Sequence, residues 1–226
     1  MLKIVKPHFV DVISQGDATI EEGALVGYCP PHCTNREPVI LGDGVYIHAG
    51  AIIYPGCKIG AHSHVYHHSV LLPNTIIGAH CKVGSLVVSQ GNVTLEDWVT
   101  VASHCHLTPY LVIERGAFLS VGISTGNALH PGGRLHPHDI RQELHPPRIG
   151  RGARIGGNVM INPNVVIGAE ALIGGGAVVV KSIPDFAIAI GVPARVVGEI
   201  PDRDRIDWSS PDARGSSCDG QTGSPR

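Results

Sequence analysis

The chain has 226 residues and a formal net charge of −2, from 17 Lys and Arg against 19 Asp and Glu. That balance, without a long basic run, argues against a phosphate-backbone partner, so no nucleic acid is expected. No run of about 18 apolar residues exists, so no membrane-spanning helix is expected; the opening MLKIVKPHFVDVIS lacks the apolar h-region of a secretory signal, which points to a cytoplasmic protein. Glycine (29) and proline (17) are abundant and aromatics are only 4%, a composition for many short strands and tight turns.

Residues 1–40 read as an N-terminal lead-in and a loop. Phe9, Val10, Val12 and Ile13 are spaced like a strand, and Ile20 and Val26 open a six-residue metre. The metre breaks from Tyr28 to Pro38, a loop holding Cys29 and Cys33 in the run CPPHC. No second cysteine pair at ligand spacing accompanies them, so no metal is expected.

From Leu41 the metre runs to Thr125 without a slip, and 13 of its 15 positions are aliphatic, where about six would be expected from a 43% hydrophobic chain. A helix repeats near 3.6 and a strand repeats at 2, so six fits neither alone. It fits a short strand and a turn, with the aliphatic residue and a small residue two positions before it both pointing inward. Three hexads close one 18-residue coil, and coils stack as parallel strands about 4.8 Å apart. The expectation is an all-β fold, a parallel β-helix over residues 41–182. The small position holds Cys57, Cys81 and Cys105, which read as core residues.

The turns should favour residues that tolerate a positive φ. Read every 18 residues, the corners are Gly44, His62, His80, Trp98, Gly116; Gly50, His68, Leu86, His104, Gly122; and Gly56, Asn74, Asn92, Tyr110. Gly, Asn and His fit; Trp98, Leu86 and Tyr110 do not. Residues 126–148, rich in His, Pro and Gly, lose the metre and read as a protruding loop. It returns in phase at Ile149 and runs to Val179. A C-terminal segment (183–202) and a flexible tail (203–226) are expected to follow.

With these residues in view, the chain resembles the hexapeptide-repeat acyltransferases of the left-handed β-helix class. The most specific stretch is VIGAEALIGGGAVVVKSIPDFAIAIGVPARVVG, residues 166–198, which resembles that family's acyl-CoA-binding coils and its Gly-x-Pro-Ala-Arg segment. PVILGDGVYIHAGAIIYPG and ELHPPRIGRGARIGGN are similar to the branch that acylates nucleotide-linked amino sugars. The resemblance implies a left-handed coil, a homotrimer, acetyl-CoA as co-substrate and a site in the groove between two subunits, near the loop. In the sugar branch Asn-Asp-x-x-Pro opens that loop. Here it reads Asn127-Ala128-Leu129-His130-Pro131, with Ala128 in place of Asp, while His130-Pro131 matches a catalytic His-Pro of the galactoside and antibiotic branch. The acceptor therefore stays open between an amine and a hydroxyl.

A sugar hydroxyl needs a general base, and imidazole suits that task near neutral pH. His130 is the candidate, with His138 beside Asp139 as competitor and Asn127 as a positioning group. Backbone N–H groups near Gly156, Gly157 and Gly174–Gly176 are candidate donors to the oxyanion. Gly157, Gly175, Ala177, Lys181, Pro193 and Arg195 are the candidate cofactor-binding residues, the two cations for CoA phosphates. Two other classes compete: a γ-type carbonic anhydrase-like zinc enzyme, and a catalytically inactive structural trimer. His68 and His104 are two coils apart as in the former, but the third position that class needs is Pro109.

Overall fold

A computed structural model describes residues 8–129 and 144–209. It is a parallel β-helix of three faces. The first face runs from Val12–Ser14 through Val39–Leu41 and Lys58–Ile59 to Val166–Ile167 in eight strands. The second runs from Ala18–Ile20 through Val45–Ile47 to Leu172–Ile173 and on to Ala187–Ile190 and Arg195–Glu199. The third runs from Leu25–Val26 through Ile52–Ile53 to Val178–Val179. Among the described residues no helix is long and apolar enough to cross a membrane.

The parallel coil reaches further toward the N-terminus than the metre suggests. Val12 pairs with Val39 and Ala18 with Val45, each 27 residues on, where later partners such as Val65 and Val83 are 18 apart. The difference is a nine-residue excursion in the Tyr28–Pro38 stretch, so its flanks are one complete coil. At the other end, the segment expected to be free from Arg203 is docked as far as Trp208. The buried carboxylate of Glu170 accepts from the Ile206 N–H (2.8 Å) and from Trp208 Nε1 (2.6 Å), while Arg151 stacks on Trp208 and Arg205 on Phe186.

The metre residues fill the core. Leu41, Ile47, Ile53, Ile59, Leu71, Ile77, Leu95, Leu107, Ile113 and Leu119 are all fully buried, each worth about 1.5–3 kcal/mol relative to exposure. The two exceptions are compensated. Ser89 shares a hydrogen bond with Thr75 (2.8 Å), and Thr125 accepts from the Thr108 N–H (2.9 Å) while a larger Ile123 occupies the neighbouring small position. That small position also has a polar use. Ser63 and Ser69 donate to the carbonyls of Gly78 and Gly84 (2.7 and 2.6 Å), and the Cys57, Cys81 and Cys105 thiols point to those of Leu72, Glu96 and Ser120, each 15 residues on. Where this position holds a hydroxyl or a thiol, the group is thus satisfied by a carbonyl of the next coil. Burial pushes the thiols of Cys57 and Cys81 up to about 12 and raises that of Cys105.

Every corner residue named above that is not glycine has a positive φ, including Trp98 (64°), Leu86 (60°) and Tyr110 (64°). Trp98 has a reason the sequence did not show: its ring stacks on His80 at 4.0 Å, and His80 stacks on His62 at 5.1 Å, a column of rings down one edge. The Asn corner is a ladder, with Asn35 donating to Asn74 and Asn74 to Asn92. Nothing in the structure explains Leu86 or Tyr110.

Candidate active site

Loop 126–148 leaves the coil at the corner between the third and first faces. Gly126 is still paired, its N–H bonded to Ile161 O (2.9 Å). A neck follows in which Ala128 bridges Leu144 antiparallel and the His145 N–H donates to Asn127 O (2.7 Å). Asn127 is thus fixed at the foot of the loop. His130 and His138 lie outside the described residues. Asn164 N–H donates to His145 O (2.8 Å), so the neck sits directly on the next coil. Two coils on, the same corner carries Lys181, about 10 Å from the neck by strand spacing.

The other edge of the third face is a bare glycine corner. Gly176 N–H donates to Gly157 O (2.8 Å), which stacks this corner coil on coil. Gly175 and Gly176 are exposed, and a Cβ at Gly176 (φ 71°) would meet nothing within 4 Å. Here glycine serves a backbone conformation and leaves peptide groups open to a ligand. The Ala177 side chain points inward and is fully buried, so it offers a ligand no side-chain surface.

The segment after the last coil closes this end. Val178 N–H donates to Gly191 O (3.1 Å) and Ala194 N–H to Val178 O (2.9 Å), which lays Gly191–Arg195 along the edge strand of the third face. Val192–Pro193 is a cis peptide. Pro193, Arg195 and Lys181 are exposed; Arg195 Nη1 donates to Ala194 O (2.9 Å), and among the described residues neither cation is in an ion pair. Register therefore brings Gly157, Gly175, Lys181, Pro193 and Arg195 to one end of one face, with Asn127 at its corner. That end offers stacked peptide groups and two exposed cations that form no ion pair among the described residues, an arrangement suited to an extended anionic ligand.

A second constellation was not singled out from the sequence. On the second face near the N-terminus, Tyr46, His48, His64, Tyr66 and His67 cluster around Glu21. The signal was available. Tyr46 and His64, like His48 and Tyr66, are 18 apart at outward positions, where the metre says nothing about chemistry. Burial, then the neighbouring His48 and Lys82, hold the His64 imidazole below its ordinary value.

Residues 38–73 and 146–181 match the family model described as bacterial transferase hexapeptide (six repeats). The chain is 34% identical over 76 residues to the bifunctional protein GlmU of Alkaliphilus oremlandii, a match covering 34% of this chain and 15% of that relative's length. Among solved structures it is similar to the UDP-N-acetylglucosamine acyltransferase of Francisella novicida (15% identity, TM-score 0.46, 83% of this chain and 68% of that one). It is also similar to the UDP-N-acetylglucosamine O-acyltransferase of Moraxella catarrhalis (15%, TM-score 0.44, 83% and 72%). Both matched stretches thus carry the bacterial transferase hexapeptide repeat, and both lie on the coils of the parallel β-helix.

Proposed function

We propose that the protein is an acetyl-CoA-dependent acyltransferase acting on a sugar, with the amine of a nucleotide-linked amino sugar as acceptor. The observation that carries this reading is the convergence of the glycine corner, Lys181 and the Gly191–Arg195 segment at one end of the third face, beside the foot of the loop. In this reading CoA lies along that face in a groove completed by a neighbouring subunit of a homotrimer. Lys181 and Arg195 receive its phosphates, and peptide N–H groups at Gly157 and Gly175 receive the thioester oxygen as it gains charge. The acceptor nitrogen, once deprotonated, attacks the thioester carbon; the C–S bond breaks, and the thiolate leaves and takes up a proton.

The second reading is a hydroxyl acceptor, and His130-Pro131 in the loop favours it. There His130 takes the hydroxyl proton as the C–O bond forms. In either case Lys181→Ala and Arg195→Ala are each expected to raise the KM for acetyl-CoA about tenfold, the loss of one charge-assisted hydrogen bond to phosphate, with kcat little changed. Steady-state thiol release at varied acetyl-CoA measures this. An unchanged KM in both variants would remove the cofactor from this end of the coil.

A further inference from the structure

We propose that Glu21, His48 and His67 form a binding site for a zinc-class divalent transition-metal ion, on the first three coils and apart from the acyl-transfer site. The register sets the three side by side. Ile20 pairs with Ile47 and Ile47 with Val65, so Glu21, His48 and Tyr66 follow at matching positions, and His67 is the next residue along. Glu21 Oε1 lies 3.2 Å from His48 Nδ1, and Glu21 Oε2 lies 3.8 Å from His67 Nε2. All three donor atoms fall within 4.8 Å of one another. Ligands bound at about 2.0–2.2 Å around one tetrahedral ion stand roughly 3.3–3.5 Å apart, so small side-chain movements would close the set. His67, half exposed, has the freedom to make most of them.

Two of the ligands are held in place beforehand. Glu21 accepts from the Tyr46 hydroxyl (2.9 Å) and from the Ala49 N–H (2.7 Å). The Ala49 hydrogen bond, then that of Tyr46, holds its carboxyl below the usual range, so the donor is an anion at neutral pH. The His48 ring is packed between Tyr46 at 4.5 Å and Tyr66 at 4.6 Å, the latter nearly parallel. It turns Nδ1 toward Glu21 even though Nε2 is left buried without a partner among the described residues. A plain Glu–His pair would account for His48 but not for the second imidazole converging on the same carboxylate.

The donor set names the ion. Two imidazole nitrogens and one carboxylate oxygen suit Zn²⁺ and Co²⁺, whereas Mg²⁺ and Ca²⁺ take oxygen ligands. Three protein ligands leave one position open on the exposed side of His67. His67, the nearest of the three, lies on the same corner as Gly157, four coils away, about 19 Å by strand spacing, so loss of the site is separable from CoA binding.

The test is Co²⁺ titration of the EDTA-treated full chain. Saturation at one equivalent, with the visible absorption of a four- or five-coordinate ion and displacement by Zn²⁺, is the expected result. His67→Ala and Glu21→Gln should each weaken binding at least tenfold, whereas His68→Ala, at a corner outside the set, should leave it unchanged. His67 is half exposed, so His67→Ala keeps the test valid if Glu21→Gln fails to fold, and circular dichroism of each variant checks this. Two results overturn the proposal: only the faint spectrum of a six-coordinate ion, or binding that survives His67→Ala and is abolished by replacing His136 and His138 in the loop.

Discussion

Replacing His130 with alanine is expected to lower kcat/KM for a hydroxyl-bearing sugar by about 10²–10⁴-fold, the usual contribution of a positioned general base. A hydroxyl cannot attack a thioester at neutral pH unless its proton is taken as the bond forms, and imidazole, titrating near pH 6.5, is free to take it. The neck gives this expectation a structural footing: Asn127 and His145 are bonded backbone to backbone on the coil, three residues before His130. For an amine acceptor the same substitution should cost much less, because the deprotonated amine is already nucleophilic. Thiol-release kinetics with both acceptor classes separate the two. A loss below tenfold on every accepted hydroxyl sugar would take the base role from His130, and His138→Ala would then be the variant to measure.

Ile113→Ala is expected to lower the unfolding free energy by about 2–5 kcal/mol. Ile113 is fully buried and pairs with Leu95 on one side and Ile149 on the other. The second pairing spans the loop, so this residue helps hold together the coil from which the loop departs. Its neighbours are fixed by ladder hydrogen bonds, such as Glu114 N–H to Ile149 O (2.9 Å), and cannot collapse into the space left behind. Denaturant unfolding should show a lower midpoint at an unchanged slope. A shift below 1 kcal/mol would mean that the coil relaxes around the deletion.

The fold was legible because its core follows one rule. The buried aliphatic residue every six positions, the small residue two before it and the turn at each corner are local necessities of stacked coils, so Leu41 to Thr125 and Ile149 to Val179 could be placed from spacing alone. What escaped was set by contacts between coils. Ile20 and Val26 already carried the metre, but the excursion at Tyr28–Pro38 hid that Val12–Val26 is a full coil. Trp98 looked wrong for a turn until His80 stacked against it. Glu170 sits at a corner position that spacing marks as a turn, and only the folded chain shows its carboxylate holding Trp208.

The candidate site was legible in part, for a similar reason. Gly157, Gly175, Lys181, Pro193 and Arg195 came from a resemblance, and register places them at one end of one face. Their shared location is a consequence of the 18-residue coil, which makes residues far apart in sequence neighbours on an edge. Ala177 was named with them because it lies in the same run, yet its position is an inward one. The Glu21–His48–His67 group was legible only through the 18-residue spacing of Tyr46 with His64 and of His48 with Tyr66, because the metre assigns outward positions no chemistry and the three members come from three coils.

The measurement that bears most directly on the function is thiol release from acetyl-CoA by the full chain, with amino-sugar nucleotides and hydroxyl sugars supplied in parallel. The proposal predicts acceptor-dependent release of one thiol per acyl group transferred, with an amino-sugar nucleotide as the better acceptor. No release with any acceptor, together with no binding of CoA, would contradict it and leave the β-helix as a structural scaffold.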